Sequence, residues 1–236
     1  MTAANDTSPV PLKGISSMAT RLVLADLVEA FAQRSGDRAE IESVGGVDAA
    51  KRVQAGEAFD VVILASDAID KLIAGGHLQA GSRVDLVRSG VAAAVRAGAP
   101  VPDMANEDAL RQAVLAARTL SYSTGPSGVA LQKLFERWGI AEQIAPRIVQ
   151  APPGVPVGAL VARGEVELGF QQLSELLHVQ GITLVGPLPP EVQITTIFSA
   201  GLPVATPHAA RVRDMLNFMT SDEAAEAKRR QGMDPA

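Results

Sequence analysis

The stretch VGGVDAAKRVQAGEAFDVVILAS, residues 44–66, carries the clearest structural signal in the chain. Its two glycines at 45–46 predict a turn, and residues 48–55 have the composition of a helix that Asp48 can cap. Residues 59–64 then form a predominantly apolar run, which is typical of a strand covered by helices on both faces. The stretch therefore predicts one helix-to-strand unit of an α/β fold.

The sequence before this stretch has the same order of elements. Residues 12–16 are apolar and end in the small polar cluster SSMAT, 16–20, and residues 21–34 then place apolar side chains at the spacing of one helix face. Residues 39–44 alternate as a strand does, and a third helix begins at 66–67. Three strand-to-helix units predict a mainly parallel sheet wrapped by helices, with a ligand crevice beyond the carboxyl ends of the strands.

The unit pattern restarts near residue 88, and this restart predicts an α/β fold of two lobes. Lobe 1 is predicted to join residues 1–87 to the helical stretch 200–236, which contains too little sheet to stand alone, and lobe 2 takes residues 88–199. The elements predicted for the second half are strands over 89–95, 120–123, 147–150, 167–171 and 194–199, and helices over 109–117, 127–138, 157–163, 173–178 and 207–230.

The composition is that of a globular protein. Hydrophobic residues make up 47% and charged residues 20% of the 236 residues, and no apolar run approaches the roughly 18 residues that a membrane-spanning helix needs. Lys and Arg total 21 against 26 Asp and Glu, giving a net charge of −5, which argues against a nucleic-acid partner. An anion can still bind, because anion binding depends on local N–H groups and a few Arg residues.

The sequence lacks the residues that several kinds of reactive or metal-binding site require. The chain has no cysteine, which excludes disulfides and a Cys nucleophile. His77, His178 and His208 lie far apart without the spacing of metal ligands, so we expect neither a metal nor a cofactor. The segment MTAANDTSPVP lacks the basic start and apolar core of a signal peptide. The location stays open: periplasmic if a signal peptide was removed, cytoplasmic if Met1 is the native start.

Turns of small residues precede predicted helices at four places, residues 16–20, 45–48, 125–128 and 153–155. At the amino end of a helix, unpaired N–H groups and the helix dipole favour an anion. Any one of these turns alone is explained most simply as an ordinary helix cap. Four of them, spread over both halves of the chain, predict a shared anion site.

The chain resembles the molybdate-type periplasmic solute-binding proteins of ABC transporters, a family with aconitate-isomerase-like relatives. The resemblance covers nearly the whole chain from about Leu12, mostly as pattern rather than identity, and it implies a two-lobed, type II Venus-flytrap fold. It is carried by SSMAT (16–20), the 44–66 stretch, STGPSGVALQKLFERWGI (123–140) and PPGVPVGALVARGEVELGF (152–170).

The resemblance also implies that Ser hydroxyls and backbone N–H groups of these turns hold the ligand between the lobes. The residues at the matching positions are Ser17, with Ser16 and Thr20 of the same turn, Gly46 or Val47, Ser127 or Gly128, and Gly154 or Val155.

Two positions depart from the family pattern. Gln172, in LGFQQ, stands where molybdate binders commonly have a Tyr, and Gly46 stands where they often have a Ser. Arg21 and Arg88 lie beside predicted cleft turns and can bind a carboxylate through two parallel hydrogen bonds. A solvated surface position is the other interpretation of both arginines, and a structural polar group is the other interpretation of Gln172. Together these residues favour an organic carboxylate over molybdate.

The first hypothesis is therefore a monomeric solute-binding protein that closes on a small organic anion. Its hinge is predicted near residues 86–88 and 194–199, and its candidate partner is an ABC transporter permease. A ligand-sensing module that signals to another protein is a further class, but no feature of the sequence favours it.

The alternative is an isomerase of an unsaturated tricarboxylic acid, of aconitate type, on the same fold. Such an enzyme needs clamps for the carboxylates and one positioned base for the allylic proton. Asp48, Asp67 and Glu175 are the carboxylates nearest to the predicted turns. Each of them can equally cap a helix, so the sequence leaves the base unassigned.

Overall fold

The computed structural model describes residues 10–152 and 155–236, and its first part alternates strands and helices as predicted. The strands lie parallel in the order β2-β1-β3, so their carboxyl ends share one edge. The elements are β1 (Leu12–Ser17), α1 (Arg21–Ser35), β2 (Ala39–Val44), α2 (Gly46–Gln54), β3 (Val61–Ala65) and α3 (Ser66–Ala74).

Eight elements follow one long strand in the second part of the chain. The long strand is β4 (Val84–Arg96), and after it come α4 (Glu107–Ala116), β5 (Leu120–Tyr122), α5 (Pro126–Arg137), α6 (Ala141–Ile144), α7 (Val157–Arg163), β6 (Leu168–Gln172), α8 (Leu173–Leu176) and β7 (Ile182–Pro187). The chain then returns through β8 (Thr195–Gly201), α9 (Ala209–Thr220), α10 (Ala225–Arg230) and the short β9 (Asp234–Pro235).

The long strand β4 belongs to both groups of strands. Its first half pairs antiparallel with β8 and β9, and its second half pairs antiparallel with β6 and β7. The sheet path is β2-β1-β3-β8-β4-β6-β5, a mixed sheet because β4 and β8 run against their neighbours. The two segments predicted as a hinge are hydrogen-bonded neighbours here, with Val87 opposite Phe198 and Arg88 opposite Ile197.

Each group of strands is covered by apolar clusters on both faces. One cluster joins α1 to α9, where the rings of Phe31 and Phe218 lie 5.9 Å apart, so the last helices pack on the first group of strands. Another lines β5, β6 and α5 around Phe135 and Phe170. Burial of a large apolar side chain stabilises a fold by about 1.5–3 kcal/mol. Among the described helices, none is long and apolar enough to cross a membrane.

Some predicted elements differ from the structure. The strand predicted over 147–150 is wrong: the segment follows a 3-10 turn at Pro146 and forms a single bridge between Ile148 and Leu120. Arg147 instead donates hydrogen bonds to the carbonyl groups that end α4. β4 is longer than predicted, and β7 and β9 were not predicted. α2 begins at Gly46, so Asp48 lies in its first turn rather than at its cap.

Candidate ligand site

The turn after β1 contains a buried hydroxyl without a partner. Ser17 is 8% exposed, and its Oγ has no hydrogen-bond partner among the described residues. Its neighbours are engaged within the protein, since Ser16 Oγ lies 2.8 Å from Ser43 Oγ and Thr20 Oγ1 donates to the Ser17 carbonyl at 2.9 Å. An unpaired buried hydroxyl is costly, so Ser17 is the side chain of this turn that is left for a ligand.

The amino end of α2 lies beside this hydroxyl. A β-carbon added to Gly46 would stand 3.7 Å from the β-carbon of Ser17, so the first two predicted turns are neighbours in space. Val47 is 54% exposed, and the first N–H groups of the helix have no acceptor within the helix itself. An anion beside Ser17 could therefore accept hydrogen bonds from both turns.

β6 ends in a second buried polar group without a full set of partners. Gln172 is 3% exposed, its Nε2 donates to Thr196 Oγ1 at 2.8 Å, and its Oε1 has no partner among the described residues. A threonine hydroxyl can donate or accept, and an amide can turn over to exchange its oxygen and nitrogen. In the turned state Thr196 donates to Oε1, and the Gln172 NH₂ group is free to donate to an anion.

One hydrogen bond joins the ends of β1 and β6. Ser174 Oγ donates to the Ala19 carbonyl oxygen at 2.9 Å, and Ser174 is itself buried. Ser17 and Gln172 each stand two residues before one partner of this bond, a distance that the chain spans in at most about 7 Å. Of the five buried side-chain atoms without a partner in the described residues, the Ser17 hydroxyl and the Gln172 amide oxygen are thus brought into one neighbourhood.

The turn before α5 lies at the same edge of the sheet as Gln172. β5 pairs parallel with β6, with Tyr122 opposite Phe170, so the carboxyl ends of both strands point the same way. Ser127 is buried, and its Oγ lies 3.0 Å from Ser123 Oγ. A β-carbon at Gly128 would stand only 1.6 Å from the Ser123 carbonyl oxygen, so only glycine allows the turn to close this tightly on the helix.

The first turn of α7 is linked to β6 by a chain of hydrogen bonds. The Gly158 N–H donates to Gln171 Oε1 at 3.3 Å, and Gln171 Nε2 donates to Glu175 Oε1 at 2.8 Å. Val155 is half-buried, with its N–H donating to the Pro152 carbonyl oxygen at 3.0 Å. The alternative contact at Gly154 lies outside the described residues. Burial raises the pKa of Glu175 to about 7, against a smaller lowering by the Gln171 hydrogen bond.

The two predicted arginines lie on the surface. Arg21 is the exposed first residue of α1, and Arg88 is exposed on β4 opposite Ile197 and Asp234. Neither guanidinium forms an ion pair within residues 10–152 and 155–236. In the same part of the chain, no three His, Asp or Glu side chains cluster as metal ligands would.

Sequence reasoning missed three residues of this neighbourhood, namely Gln171, Ser174 and Thr196. Gln171 could have been noticed, because two successive glutamines at the end of an apolar strand are unusual for a buried element. Ser174 was interpreted from the sequence as a helix-capping residue, and its bond to Ala19, like that of Thr196 to Gln172, joins partners distant in sequence that no local pattern reveals.

The sequence model of the family described as bacterial extracellular solute-binding protein matches residues 12–234. The chain belongs to this family. A curated relative, aconitate isomerase from a Pseudomonas species, is 38% identical to this chain over 218 residues. These residues cover 90% of this chain and 83% of the relative.

Two solved structures share the fold of this solute-binding family member. The periplasmic molybdate-binding protein of Azotobacter vinelandii superposes with a TM-score of 0.78 at 20% identity, covering 95% of this chain and 99% of that one. The sulfate-binding protein SubI of Mycobacterium tuberculosis superposes with a TM-score of 0.78 at 14% identity, covering 96% and 87%. These likenesses confirm the type II periplasmic-binding-protein fold, and the family match and the 38% identical relative confirm the predicted family resemblance.

Proposed function

We propose that the protein binds an unsaturated tricarboxylate of aconitate type and shifts its double bond. The observation that carries this proposal is the 38% identity to an aconitate isomerase over 90% of the chain. The molybdate- and sulfate-binding proteins share the fold at only 20% and 14% identity. The alternative hypothesis from the sequence is therefore preferred to binding without chemistry.

The polar groups around Ser17 and Gln172 support an anionic ligand. The Ser17 hydroxyl and the turned Gln172 amide supply two donors, and the amino end of α2 adds backbone N–H groups beside Ser17. A tricarboxylate needs several such pockets, and the amino end of α5, where Ser127 is buried, is the next candidate. Arg21 is the exposed residue that follows the turn of Ser17 and Thr20, and it has no ion pair in the described structure, so we propose it as the arginine that can turn towards a carboxylate.

The reaction needs only a proton transfer. A base removes one proton from the methylene carbon next to the double bond, and the electron pair of that C–H bond becomes the new double bond. The electron pair of the old double bond takes up a proton at the former vinylic carbon. Atoms and charge balance, so the site has to hold the carboxylates, stabilise the negative charge between the two steps and keep one base in reach.

Binding without turnover is the second candidate, and the pairing of β4 with β8 favours it. Strands that link two groups of elements side by side form the kind of hinge by which lobes close on a ligand. We infer lobes of residues 1–87 with 200–236 and of residues 88–199, and this candidate adds a transporter permease as the partner.

Two measurements on the purified protein separate these candidates. Thermal unfolding with molybdate, sulfate, citrate, cis-aconitate and trans-aconitate identifies the ligand class, because a ligand stabilises the state that it binds. Proton NMR of trans-aconitate incubated with the protein detects the cis isomer. A stabilising shift with tricarboxylates together with cis-isomer formation supports the isomerase, whereas a shift without turnover leaves the binder. A shift with molybdate alone would overturn the isomerase and the preference for a carboxylate, and would leave a binder of molybdate.

A further inference from the structure

A half-buried carboxylate, Glu175, lies directly after the end of β6. Its Oε1 accepts a 2.8 Å hydrogen bond from Gln171 Nε2, and Gln171 Oε1 accepts one of 3.3 Å from the Gly158 N–H. Gln171 is only 5% exposed, so this arrangement is fixed by packing. The carboxylate is therefore held beside the first turn of α7, which follows in sequence the segment 153–155 that was predicted to contact the ligand.

The same residue lies next to the contact that joins the two groups of strands. Its neighbour Ser174 donates to the Ala19 carbonyl oxygen at 2.9 Å, two residues beyond the unpaired Ser17 hydroxyl. Gln172, with its own unpaired amide oxygen, stands three residues before Glu175. In sequence, the carboxylate thus follows Gln172 by three residues, and it follows by one residue the serine that bonds to the turn of Ser17.

The surroundings of Glu175 suit a group that gains and loses a proton. Burial raises its pKa to about 7, and the hydrogen bond from Gln171 offsets only part of that effect. A carboxylate with a pKa near the working pH is ionised often enough to accept a proton and basic enough to take it from carbon.

The other two carboxylates near the turns have different surroundings. Asp67 is exposed in the first turn of α3 and pairs with Lys71 at 3.5 Å. Asp48 is exposed in the first turn of α2, with its carboxylate near Gly45. Both are exposed acidic residues in the first turn of a helix. Such residues ordinarily stabilise the helix through a favourable interaction with the helix dipole.

We infer, resting on the isomerase function proposed above, that Glu175 is the catalytic group that moves the allylic proton. Its carboxylate takes the proton from the methylene carbon, and the C–H electron pair becomes the new double bond. The carboxyl exchanges its proton with solvent in part of the turnovers and then gives a proton to the former vinylic carbon, where the electron pair of the old double bond forms the new C–H bond and the carboxylate is restored. Gln171 acts as a positioning residue that holds Glu175 through the amide hydrogen bond.

The test compares the wild-type chain with Glu175→Gln, Glu175→Asp and the control Glu142→Gln, which removes an exposed carboxylate on α6. The readouts are kcat and KM with trans-aconitate, incorporation of solvent deuterium into the methylene group, and trans-aconitate binding by calorimetry. Gln at 175 keeps an oxygen for the Gln171 hydrogen bond but cannot accept a proton from carbon. The Glu175→Asp variant keeps a carboxylate that can accept a proton, but its side chain is shorter by one methylene group.

We expect Glu175→Gln to lower kcat by about 10²–10⁴-fold, the range typical of a lost general base, and to abolish deuterium incorporation while binding stays within a few-fold. Glu175→Asp should retain measurable exchange, and Glu142→Gln should match the wild type. A kcat for Glu175→Gln within tenfold of wild type would overturn the assignment and leave the proposed function standing. If the Glu175→Gln variant does not fold, the Glu175→Asp variant decides, and a wild-type kcat for it would also overturn the assignment of Glu175. No turnover by the wild-type chain would overturn both the function and the assignment.

Discussion

Ser174 Oγ donates a 2.9 Å hydrogen bond to the carbonyl oxygen of Ala19, across 155 residues of sequence. The bond ties the beginning of α8 to the turn after β1, so each group of strands contributes one end. Because both partners are buried, the bond cannot be replaced by water without rearrangement. It ties together the two turns that carry the Ser17 hydroxyl and the Gln172 amide, on which the proposed site depends.

Ser174→Ala should therefore destabilise the protein and weaken ligand binding together. The variant leaves the Ala19 carbonyl buried without this donor, which costs about 1–3 kcal/mol in the free energy of unfolding. Urea unfolding and calorimetry with trans-aconitate measure the two effects. The control Ser66→Ala, in the first turn of α3, should change stability by no more than about 0.5 kcal/mol. Equal stability of the two variants would contradict the role given to the Ser174 hydroxyl.

Ser17 and Ser16 provide a matched pair of adjacent serines. Ser17→Ala removes a hydroxyl with no partner in the described structure, so stability should be unchanged or higher, while affinity for an anionic ligand should fall by about 10–100-fold. Ser16→Ala removes the contact with Ser43 Oγ and should lower the free energy of unfolding by about 1 kcal/mol. Thermal unfolding and calorimetry on both variants test this. The reverse pattern, with affinity lost only in Ser16→Ala, would exclude Ser17 as the ligand contact.

Gly128→Ala tests how tightly the turn before α5 is built. Its new β-carbon would stand 1.6 Å from the Ser123 carbonyl oxygen, so the turn must open, at a cost of about 3 kcal/mol or more in the free energy of unfolding. Gly125→Ala is the control, since its nearest neighbour would be 3.8 Å away and its φ of −82° suits any residue. Urea denaturation compares them. Similar stability of both variants would show that the turn is not closed as described.

The raised pKa of Glu175 predicts how stability depends on pH. In the unfolded chain the carboxyl group titrates near 4.5, and in the folded protein it titrates at about 7. The folded state therefore holds the proton more tightly than the unfolded chain does. The contribution of the Glu175 carboxyl group to the free energy of unfolding is complete below about pH 4.5 and is lost as the pH rises through 7. The full loss is on the order of 3 kcal/mol.

Glu175→Gln should remove this dependence and be more stable than the wild type above pH 7. Thermal unfolding of both proteins between pH 5 and pH 9 measures it, with Glu142→Gln as the control that should follow the wild type. Parallel curves for the Glu175→Gln variant and the wild type would mean that burial does not raise the pKa of Glu175.

Local sequence patterns predicted much of the fold because each depends on neighbouring residues. The helix over 157–163 has its predicted bounds, and the apolar run at 59–64 forms β3 with a shift of one or two residues. The strand predicted over 147–150 failed because Arg147 bonds to carbonyl groups about 30 residues earlier in the chain. The full length of β4 depends on its pairing with β8, which no local pattern reveals.

The candidate site was predictable as a set of turns but not as a set of contacts. Ser17, Gly46 and Gln172 were identified from the family pattern, and two of them carry unpaired buried atoms. Whether a polar side chain has a free hydrogen-bonding atom depends on partners that are distant in sequence. Examples are Ser43 for the Ser16 hydroxyl and Thr196 for the Gln172 amide. Glu175 was one of three candidate carboxylates near the predicted turns, and its burial and its bond to Gln171 separate it from Asp48 and Asp67.

The most direct test starts separate reactions from pure trans-aconitate and pure cis-aconitate and follows both by proton NMR with the purified protein. If the protein isomerises this substrate, both reactions converge on one mixture, at a rate proportional to protein concentration. If each isomer persists as long as it does in buffer alone, the protein has no isomerase activity and the proposed function is wrong.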